Sequence, residues 1–361
     1  MLIDLHAHLA HPDFLDQHPH WGPRYVLGED GDISLTIGKW QLHLGIPERR
    51  KAVQAGGLDS MQDTFARRRD PALRVANMDA AGQDAQVLSL PLHQVMYWTD
   101  DEFAIRYARH CNDVMTEFCS AFPKRLYHWA HVPLQNPRAA AEELHRAVGQ
   151  GAVGMSMGGA NFGGMESGDD ELDEVWRACC DLEVPIFVHG YNQSAAWGDK
   201  ADTERFEVTS IVGMMGDETA CFWNMICGGV LDRFPNLKVY ITHAGGFVPY
   251  HLGRLEITNT VLRNTRNKKP LREYLPNFWF DLLTHSVSMR RAICDVIGPD
   301  QLMYGTNFGG SDGIREDLTE GLDISAEDRE KIRSGNALKL LRITPDRAQP
   351  VTSNAPLARV L

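Results

Sequence analysis

The segment Val184-Pro185-Ile186-Phe187-Val188-His189-Gly190 is a short apolar run, rich in β-branched residues, that ends in a histidine followed by a glycine. A run of this length bounded by turn residues is typical of a buried strand. Seven other segments have the same character. The sequence therefore predicts strands at residues 2–6, 85–90, 126–132, 152–157, 184–189, 237–243, 278–283 and 302–305.

Amphipathic patterns with a helical period separate many of these strands. The clearest predict helices at residues 101–122, 138–148, 170–182 and 253–266. Strands that alternate with helices indicate the α/β class and a parallel sheet, and eight strands in 361 residues favour closure into a (β/α)8 TIM barrel. The alternative is a doubly wound open sheet, but no glycine-rich phosphate fingerprint follows a strand as in the nucleotide-binding proteins of that fold.

One stretch breaks the alternation of strands and helices. Residues of about 11–71 contain Trp21-Gly22-Pro23 and a short strand-like piece at 33–37. We interpret this stretch as an insertion after the first strand, a small hairpin and a lid over the mouth of the barrel, because long loops in compact domains are usually functional. The sequence thus predicts a single barrel domain over residues 1–344 and a C-terminal tail over 345–361.

Composition excludes several classes of partner. With 36 basic and 48 acidic side chains the formal charge is −12, and no Lys/Arg-rich run is present, so we expect no nucleic acid and no membrane as partner. The N-terminus lacks the basic region and the small-residue cleavage site of a signal peptide, and no segment is long and apolar enough to span a bilayer. The seven cysteines show no CxxC spacing. A cytoplasmic protein with free thiols is the prediction.

Histidines stand at the carboxyl ends of three predicted strands. His6 and His8 are two residues apart and therefore share one face of the first strand, while His189 and His243 end the fifth and sixth strands. Barrel enzymes assemble their active sites at this face, and neutral imidazole is a common metal ligand. A single strand-end histidine is more often a packed core or rim residue, but four at one face predict a metal site.

Several other segments, together with these histidines, carry a resemblance to a known family. They are residues 77–87, Val132-Pro133-Leu134-Gln135, residues 229–238, His243-Ala244-Gly245-Gly246 and Ser334-Gly335-Asn336-Ala337. In combination they resemble the metal-dependent amidohydrolase superfamily, in particular the branch of aminocarboxymuconate-semialdehyde decarboxylase and related aromatic-acid decarboxylases. The resemblance covers nearly the whole chain.

The resemblance implies one divalent metal ion, with zinc the first expectation and manganese the alternative, bound by His6, His8 and His189. It implies that His243 is not a ligand and acts as the acid/base. This division is chemically reasonable, because a cation lowers the pKa of water and an imidazole can accept or return a proton near neutral pH.

Strand eight departs from the pattern of the family, which has a metal-binding aspartate there that is needed for activity. This chain reads Met303-Tyr304-Gly305-Thr306-Asn307, so that Asn307 takes the place of the aspartate as the expected ligand and catalytic residue. An amide oxygen can coordinate a metal, but it carries no charge and takes no proton at neutral pH. Three interpretations stay open: an engineered Asp→Asn variant, a natural enzyme that works with an amide, and an inactive homologue.

The resemblance also implies substrate-binding residues. Arg254 matches an arginine that binds a substrate carboxylate in the neighbouring subunit, which implies a homodimer; the alternative is a helix-surface arginine. His285, after strand seven, matches a histidine near the substrate, or is a rim residue. His43 stands where the family has a second carboxylate-binding arginine, and Trp40 is a candidate for the lining of the pocket.

Three functions follow as hypotheses. The first is a metal-dependent, non-hydrolytic decarboxylase, a carboxy-lyase acting on a small hydroxylated aromatic or muconate-type carboxylic acid. The second is a hydrolase or hydratase that uses the same site on an amide, a lactone or a ring-fission product. The third is a barrel without catalytic activity that serves in binding, which the missing carboxylate at Asn307 motivates.

Overall fold

The computed structural model describes residues 1–27, 33–38, 40–43, 68–191, 208–310, 313–314 and 316–346. Its strands are β1 (Ile3–His8), β2 (Arg24–Leu27), β3 (Ile33–Ile37), β4 (Trp40–His43), β5 (Ala85–Ser89), β6 (Leu126–His131), β7 (Gly154–Met157), β8 (Ile186–Val188), β9 (Val239–Ile241), β10 (Phe278–Asp281) and β11 (Leu302–Met303). Within the described residues, β1 and β5 to β11 form one eight-stranded sheet in which neighbouring strands are parallel.

The sheet closes on itself where the chain after β11 meets β1. The backbone N–H of Leu5 donates to the Tyr304 carbonyl at 3.0 Å, and that of His8 donates to the Phe308 carbonyl at 2.7 Å. The N–H of Phe308 returns a bond to the His6 carbonyl at 3.1 Å. The predicted (β/α)8 TIM barrel is therefore confirmed, and the open-sheet alternative is wrong.

Helices cover the outside of the barrel. They are α1 (Pro71–Ala80), α2 (Asp101–Ser120), α3 (Pro137–Gly149), α4 (Asp173–Asp181), α5 (Met214–Cys227), α6 (Val230–Arg233), α7 (Val248–Val261), α8 (Val287–Ile297), α9 (Ala326–Glu330) and α10 (Asn336–Leu341). The first three begin at side chains that accept hydrogen bonds from the free N–H groups of the first turn, which are Asp70, Asp100 and Asn136.

Two kinds of predicted boundary differ from the structure. The helix expected at 253–266 begins earlier, at Val248, because Pro249 in the first turn favours a helix start. The strands expected to reach His189 and His243 end at Val188 and Ile241. His243 has a φ of 48°, so the chain leaves the strand direction there.

The inserted segment contains more structure than a hairpin. Strands β2, β3 and β4 form a three-stranded antiparallel sheet in the described part of the insertion. Residues 44–67 and 347–361 lie outside the described residues, so the lid and the C-terminal tail stay predictions.

Aromatic side chains form a packed layer among the strands. Trp129 and Phe187 stack with ring centroids 5.2 Å apart, and Tyr240 lies 5.5 Å from Phe187. The ring of His6 is 5.9 Å from Phe187, so this layer supports the histidines directly. The barrel therefore has a solid interior. Among the described helices, none has the length and apolar character needed to cross a membrane.

Asp4 joins the first strand to the eighth from inside the barrel. Its side chain is completely buried and accepts bonds from the Thr306 N–H at 3.0 Å, from the Thr306 hydroxyl at 2.6 Å and from Gln83 Nε2 at 3.0 Å. Burial raises the pKa of Asp4 to about 6, and these bonds oppose that shift. The position of the residue after Thr306 thus depends on this carboxylate.

We expect Thr306→Val to lower the free energy of unfolding by about 1–3 kcal/mol, because the buried Asp4 carboxylate loses a short bond from the Thr306 hydroxyl. The urea midpoint, followed by circular dichroism, measures this change. Thr306→Ser keeps the hydroxyl and serves as the control. Equal midpoints for the two variants would contradict the prediction.

Candidate metal centre

Four imidazole rings converge at the carboxyl ends of β1, β8 and β9. The centroids of His6 and His8 are 5.3 Å apart, and that of His189 lies 5.0 Å from each of them. His243 completes the group, 4.9 Å from His6 and 4.7 Å from His189. The structure thus brings together the four histidines that the sequence pattern selects.

Three of these rings are held through Nδ1 by an oxygen acceptor. Nδ1 of His6 donates to the Asp281 carboxylate at 3.0 Å. Nδ1 of His8 donates to the Leu90 carbonyl at 3.2 Å, and Nδ1 of His189 donates to the Gly190 carbonyl at 2.6 Å. The Nε2 atom of His189 is buried and has no hydrogen-bond partner among the described residues. One ligand atom from each of the three residues lies within 4.8 Å of the others, as a single divalent cation requires.

The electrostatics of the site favour the neutral imidazoles that bind metal. Burial, reinforced by the nearby His6, lowers the pKa of His8 to about 3. Burial and the three neighbouring rings hold the pKa of His189 well below 6.5. Both rings are therefore uncharged near pH 7, and cation binding does not have to displace a proton from them.

The chain after β11, which is the eighth strand of the barrel, approaches the candidate ligand His6 closely because Gly305 has no side chain. A Cβ atom at this position would lie 2.7 Å from Cβ of His6 and 2.7 Å from the hydroxyl of Tyr240. Any larger residue would push strand eight away from β1. The glycine therefore allows His6 and Asn307 to face the same cavity.

His243 differs from the three candidate ligand histidines in its backbone and its partner. It has a φ of 48° and the following Ala244 a φ of 56°, both in the left-handed region that non-glycine residues rarely adopt. Its Nδ1 lies 2.7 Å from the Glu218 carboxylate, which is completely buried. The imidazole of His243 thus lies on a strained turn, and Glu218 holds its Nδ1 side.

Comparison with known proteins shows the family to which this site belongs. The amidohydrolase family matches residues 3–343, which is almost the whole chain. The chain belongs to the amidohydrolase family. The resemblance inferred from the sequence is confirmed, including the branch of decarboxylases.

Named relatives of this amidohydrolase include decarboxylases. It is 28% identical over 285 residues to 2-amino-3-carboxymuconate-6-semialdehyde decarboxylase of Dictyostelium discoideum, covering 77% of this chain and 78% of the relative. A dihydroxybenzoic acid decarboxylase of Polaromonas sp. JS666, solved with bound manganese and the inhibitor 2-nitroresorcinol, is 25% identical with a TM-score of 0.68. That likeness covers 74% of this chain and 85% of the decarboxylase.

Another relative has a different activity. The 2-keto-4-carboxy-3-hexenedioate hydratase of Sphingobium sp. is 26% identical over 263 residues, covering 67% of this chain and 73% of the hydratase.

In this amidohydrolase, Asn307 lies after β11, next to the histidine cluster. The residue is buried, and its side chain interacts with His8. Its φ of 54° is in the left-handed region, which asparagine and aspartate tolerate better than most residues. The backbone at position 307 thus accepts either residue.

The predicted substrate residues lie outside the histidine cluster. Arg254 is exposed on α7, and His285 is exposed after β10 at the same end of the barrel. The backbones of Trp40 and His43 lie in β4, and their side chains lie outside the described part of the chain. Roles for these four residues stay predictions.

Two acidic residues that sequence reasoning missed hold the site together. Asp281 binds His6 and also accepts from the Ala244 N–H at 2.8 Å, and burial raises its pKa to about 6. It ends β10, so its position at a strand end was a usable signal. Glu218 lies on α5 and has no such signal, because its contact with His243 is tertiary.

We expect Asp281→Asn to weaken zinc and manganese binding by about 10–100-fold, because His6 loses the carboxylate that orients it. Competition with a chromophoric chelator measures the affinity. Asp232→Asn is the control, since Asp232 accepts from the Tyr274 hydroxyl on the outer layer. Unchanged affinity in Asp281→Asn, or an equal loss in the control, would refute the assignment.

Proposed function

We propose that this protein is a metal-dependent decarboxylase that removes CO2 from a hydroxylated aromatic or muconate-type carboxylic acid. The observation that carries the proposal is the convergence of His6, His8 and His189 next to a fourth imidazole, His243, which is bound through Nδ1 to an acid. The decarboxylases among its relatives support the choice of reaction.

The proposed ligand set is His6, His8, His189 and the amide oxygen of Asn307. A divalent cation bound there supplies Lewis-acid polarisation of a substrate oxygen next to the leaving carboxylate. We propose zinc, which suits nitrogen and oxygen ligands in a four-coordinate site, with manganese as the alternative because the Polaromonas decarboxylase binds it.

His243 is proposed to supply the proton. As the C–C bond to the carboxylate breaks, its electron pair stays on the substrate carbon, and that carbon takes a proton from the imidazolium. CO2 leaves, and neutral His243 regains its proton from solvent. The buried setting of the cluster keeps bulk water away from the carbon that is protonated.

An assembly of two chains is part of the proposal. Arg254 lies on an exposed face of α7 together with Tyr250, Ile257 and Val261, which are 43%, 69% and 69% exposed. These residues follow a helical spacing, so they form one continuous stripe. A homodimer that buries the stripe would let Arg254 reach the carboxylate of a substrate in the partner subunit.

Hydration or hydrolysis at the same site is the second candidate. The related Sphingobium hydratase favours it. Asn307 disfavours it, because a neutral amide cannot act as the base that takes a proton from attacking water. Incorporation of solvent oxygen-18 into the product would identify this class of reaction.

We expect the metal-loaded protein to release CO2 from at least one acid in a panel of hydroxylated benzoates and carboxymuconates. His243→Asn should lower kcat by about 10²–10⁴-fold, because the proton donor is lost, and should leave the metal content unchanged. Headspace mass spectrometry of CO2 and elemental analysis of the protein check the two statements. No CO2 from any acid at full metal loading would overturn the proposal.

We expect Asn307→Asp to bind metal at least about tenfold more tightly, because a carboxylate adds charge to a ligand set that is otherwise neutral. Chelator competition measures the change, with the exposed Asn264→Asp as the control for net charge. A kcat that rises with the affinity would favour an active site built for aspartate. A kcat that falls while affinity rises would favour an enzyme adapted to the amide.

A further inference from the structure

Glu218 is a carboxylate without a step of its own in the proposed reaction. Its side chain is completely buried in the first turns of α5, near the carboxyl ends of β8 and β9. A buried carboxylate is costly unless several donors compensate it. The arrangement of its donors therefore indicates what it is for.

One carboxylate oxygen of Glu218 gathers three donors from two strand ends. Oε1 accepts from the Gly190 N–H at 3.0 Å, from the Thr242 hydroxyl at 2.7 Å and from Nδ1 of His243 at 2.7 Å. Gly190 directly follows the ligand His189, and Thr242 directly precedes His243. The single oxygen thus links the backbone of the residue after the proposed ligand His189 to the side chain of the proposed proton donor His243.

The first turns of α5 are held in place without Glu218. A Cβ at Gly190 would lie 2.2 Å from the Met214 carbonyl, so the helix start rests directly on the backbone after His189. On the other side, the Phe247 N–H donates to the Thr219 hydroxyl at 2.8 Å. Because these contacts fix the helix, the carboxylate is available to act on His243.

We propose that Glu218 is the positioning residue of His243. A carboxylate oxygen only accepts, so Nδ1 of His243 must carry the hydrogen between them. Nε2 then becomes the nitrogen that exchanges a proton with the substrate, and the ring cannot rotate away from the metal ligands. This inference rests on the proposed decarboxylation for its kinetic consequence, while the hydrogen bond itself does not depend on the reaction.

Strain in the turn makes such a restraint necessary. His243 and Ala244 both have left-handed backbone angles, which allow the imidazole to leave the strand direction and face the site. A residue in this conformation is kept there only by its surroundings. The bond to Glu218 supplies that restraint on the side chain, and the Ala244 N–H, bound to Asp281 at 2.8 Å, supplies it on the backbone.

The test measures the bond and the reaction separately. In zinc-loaded protein labelled with ¹⁵N-histidine, we expect a downfield Nδ1–H proton resonance that disappears in His243→Asn and in Glu218→Ala. In Glu218→Ala, kcat on the best acid of the panel should fall at least about 100-fold, while KM and zinc content stay within about twofold. Formate, which can occupy the space left by the side chain, should restore part of kcat in a saturable manner.

Two further variants guard against a purely structural explanation. Glu218→Gln keeps the volume but can turn its NH2 group toward Nδ1, so kcat should fall at least about tenfold in a folded protein. Glu143→Gln changes another buried glutamate, which pairs with Arg146 on α3, and should leave kcat and the resonance unchanged.

The proposal is overturned if the resonance survives in Glu218→Ala, or if kcat stays within about threefold of the parent. A fall in kcat together with a loss of zinc and a changed KM, without rescue by formate, would also overturn it, since that pattern indicates general damage to the site. If no acid yields CO2, the proposed reaction fails, and presence or loss of the resonance still decides whether Glu218 positions His243.

Discussion

The contact between β1 and the chain after β11, which closes the barrel, is the one on which the rest of the site depends. Backbone bonds join Leu5 to Tyr304 and His8 to Phe308, and the buried Asp4 carboxylate binds both the N–H and the hydroxyl of Thr306. If this seam opened, Asn307 would separate from His8. The proposed metal ligands from opposite ends of the chain share a cavity only because the seam is closed.

Around this seam, the protein places acceptors behind each imidazole. The Asp281 carboxylate, the Leu90 carbonyl and the Gly190 carbonyl each take an Nδ1 hydrogen and so direct Nε2 into the cavity. These partners come from three different strand ends. A site of this kind is organised before a metal arrives, which reduces the cost of ordering ligands on binding. The low pKa of the buried rings acts in the same direction.

The proposed ligand set is neutral, which distinguishes it from the pattern that the sequence resembles. With a divalent cation bound there, three neutral imidazoles and an amide would leave its full charge to be balanced by the substrate. An anionic substrate, such as a carboxylate, is favoured in such a site, and a base that activates water is missing from position 307. The composition, with its net charge of −12, gave no indication of this local preference for anions.

Much of the fold and part of the site could be predicted from the sequence. Apolar runs ending in His189 and His243, together with the spacing of His6 and His8, are local patterns, and the parallel barrel brings all strand ends to one face. The asparagine at position 307 could also be recognised from the sequence, because it replaces the aspartate expected at a fixed position of a short motif. The strands leading to His189 and His243 were predicted too long, and for the second of them the reason is the left-handed turn at His243, which depends on packing that no local pattern records.

The sequence by itself determined the barrel, its family and the four histidines. Each of these follows from the periodicity of apolar residues or from a short motif. Only the tertiary structure decided which nitrogen of each ring faces the cavity, since that depends on acceptors supplied by distant residues. Glu218 comes from a helix 25 residues before His243, and Asp281 lies 275 residues from His6. Hydrogen bonds between such distant residues leave no trace in local sequence, yet they fix the geometry from which the chemistry follows.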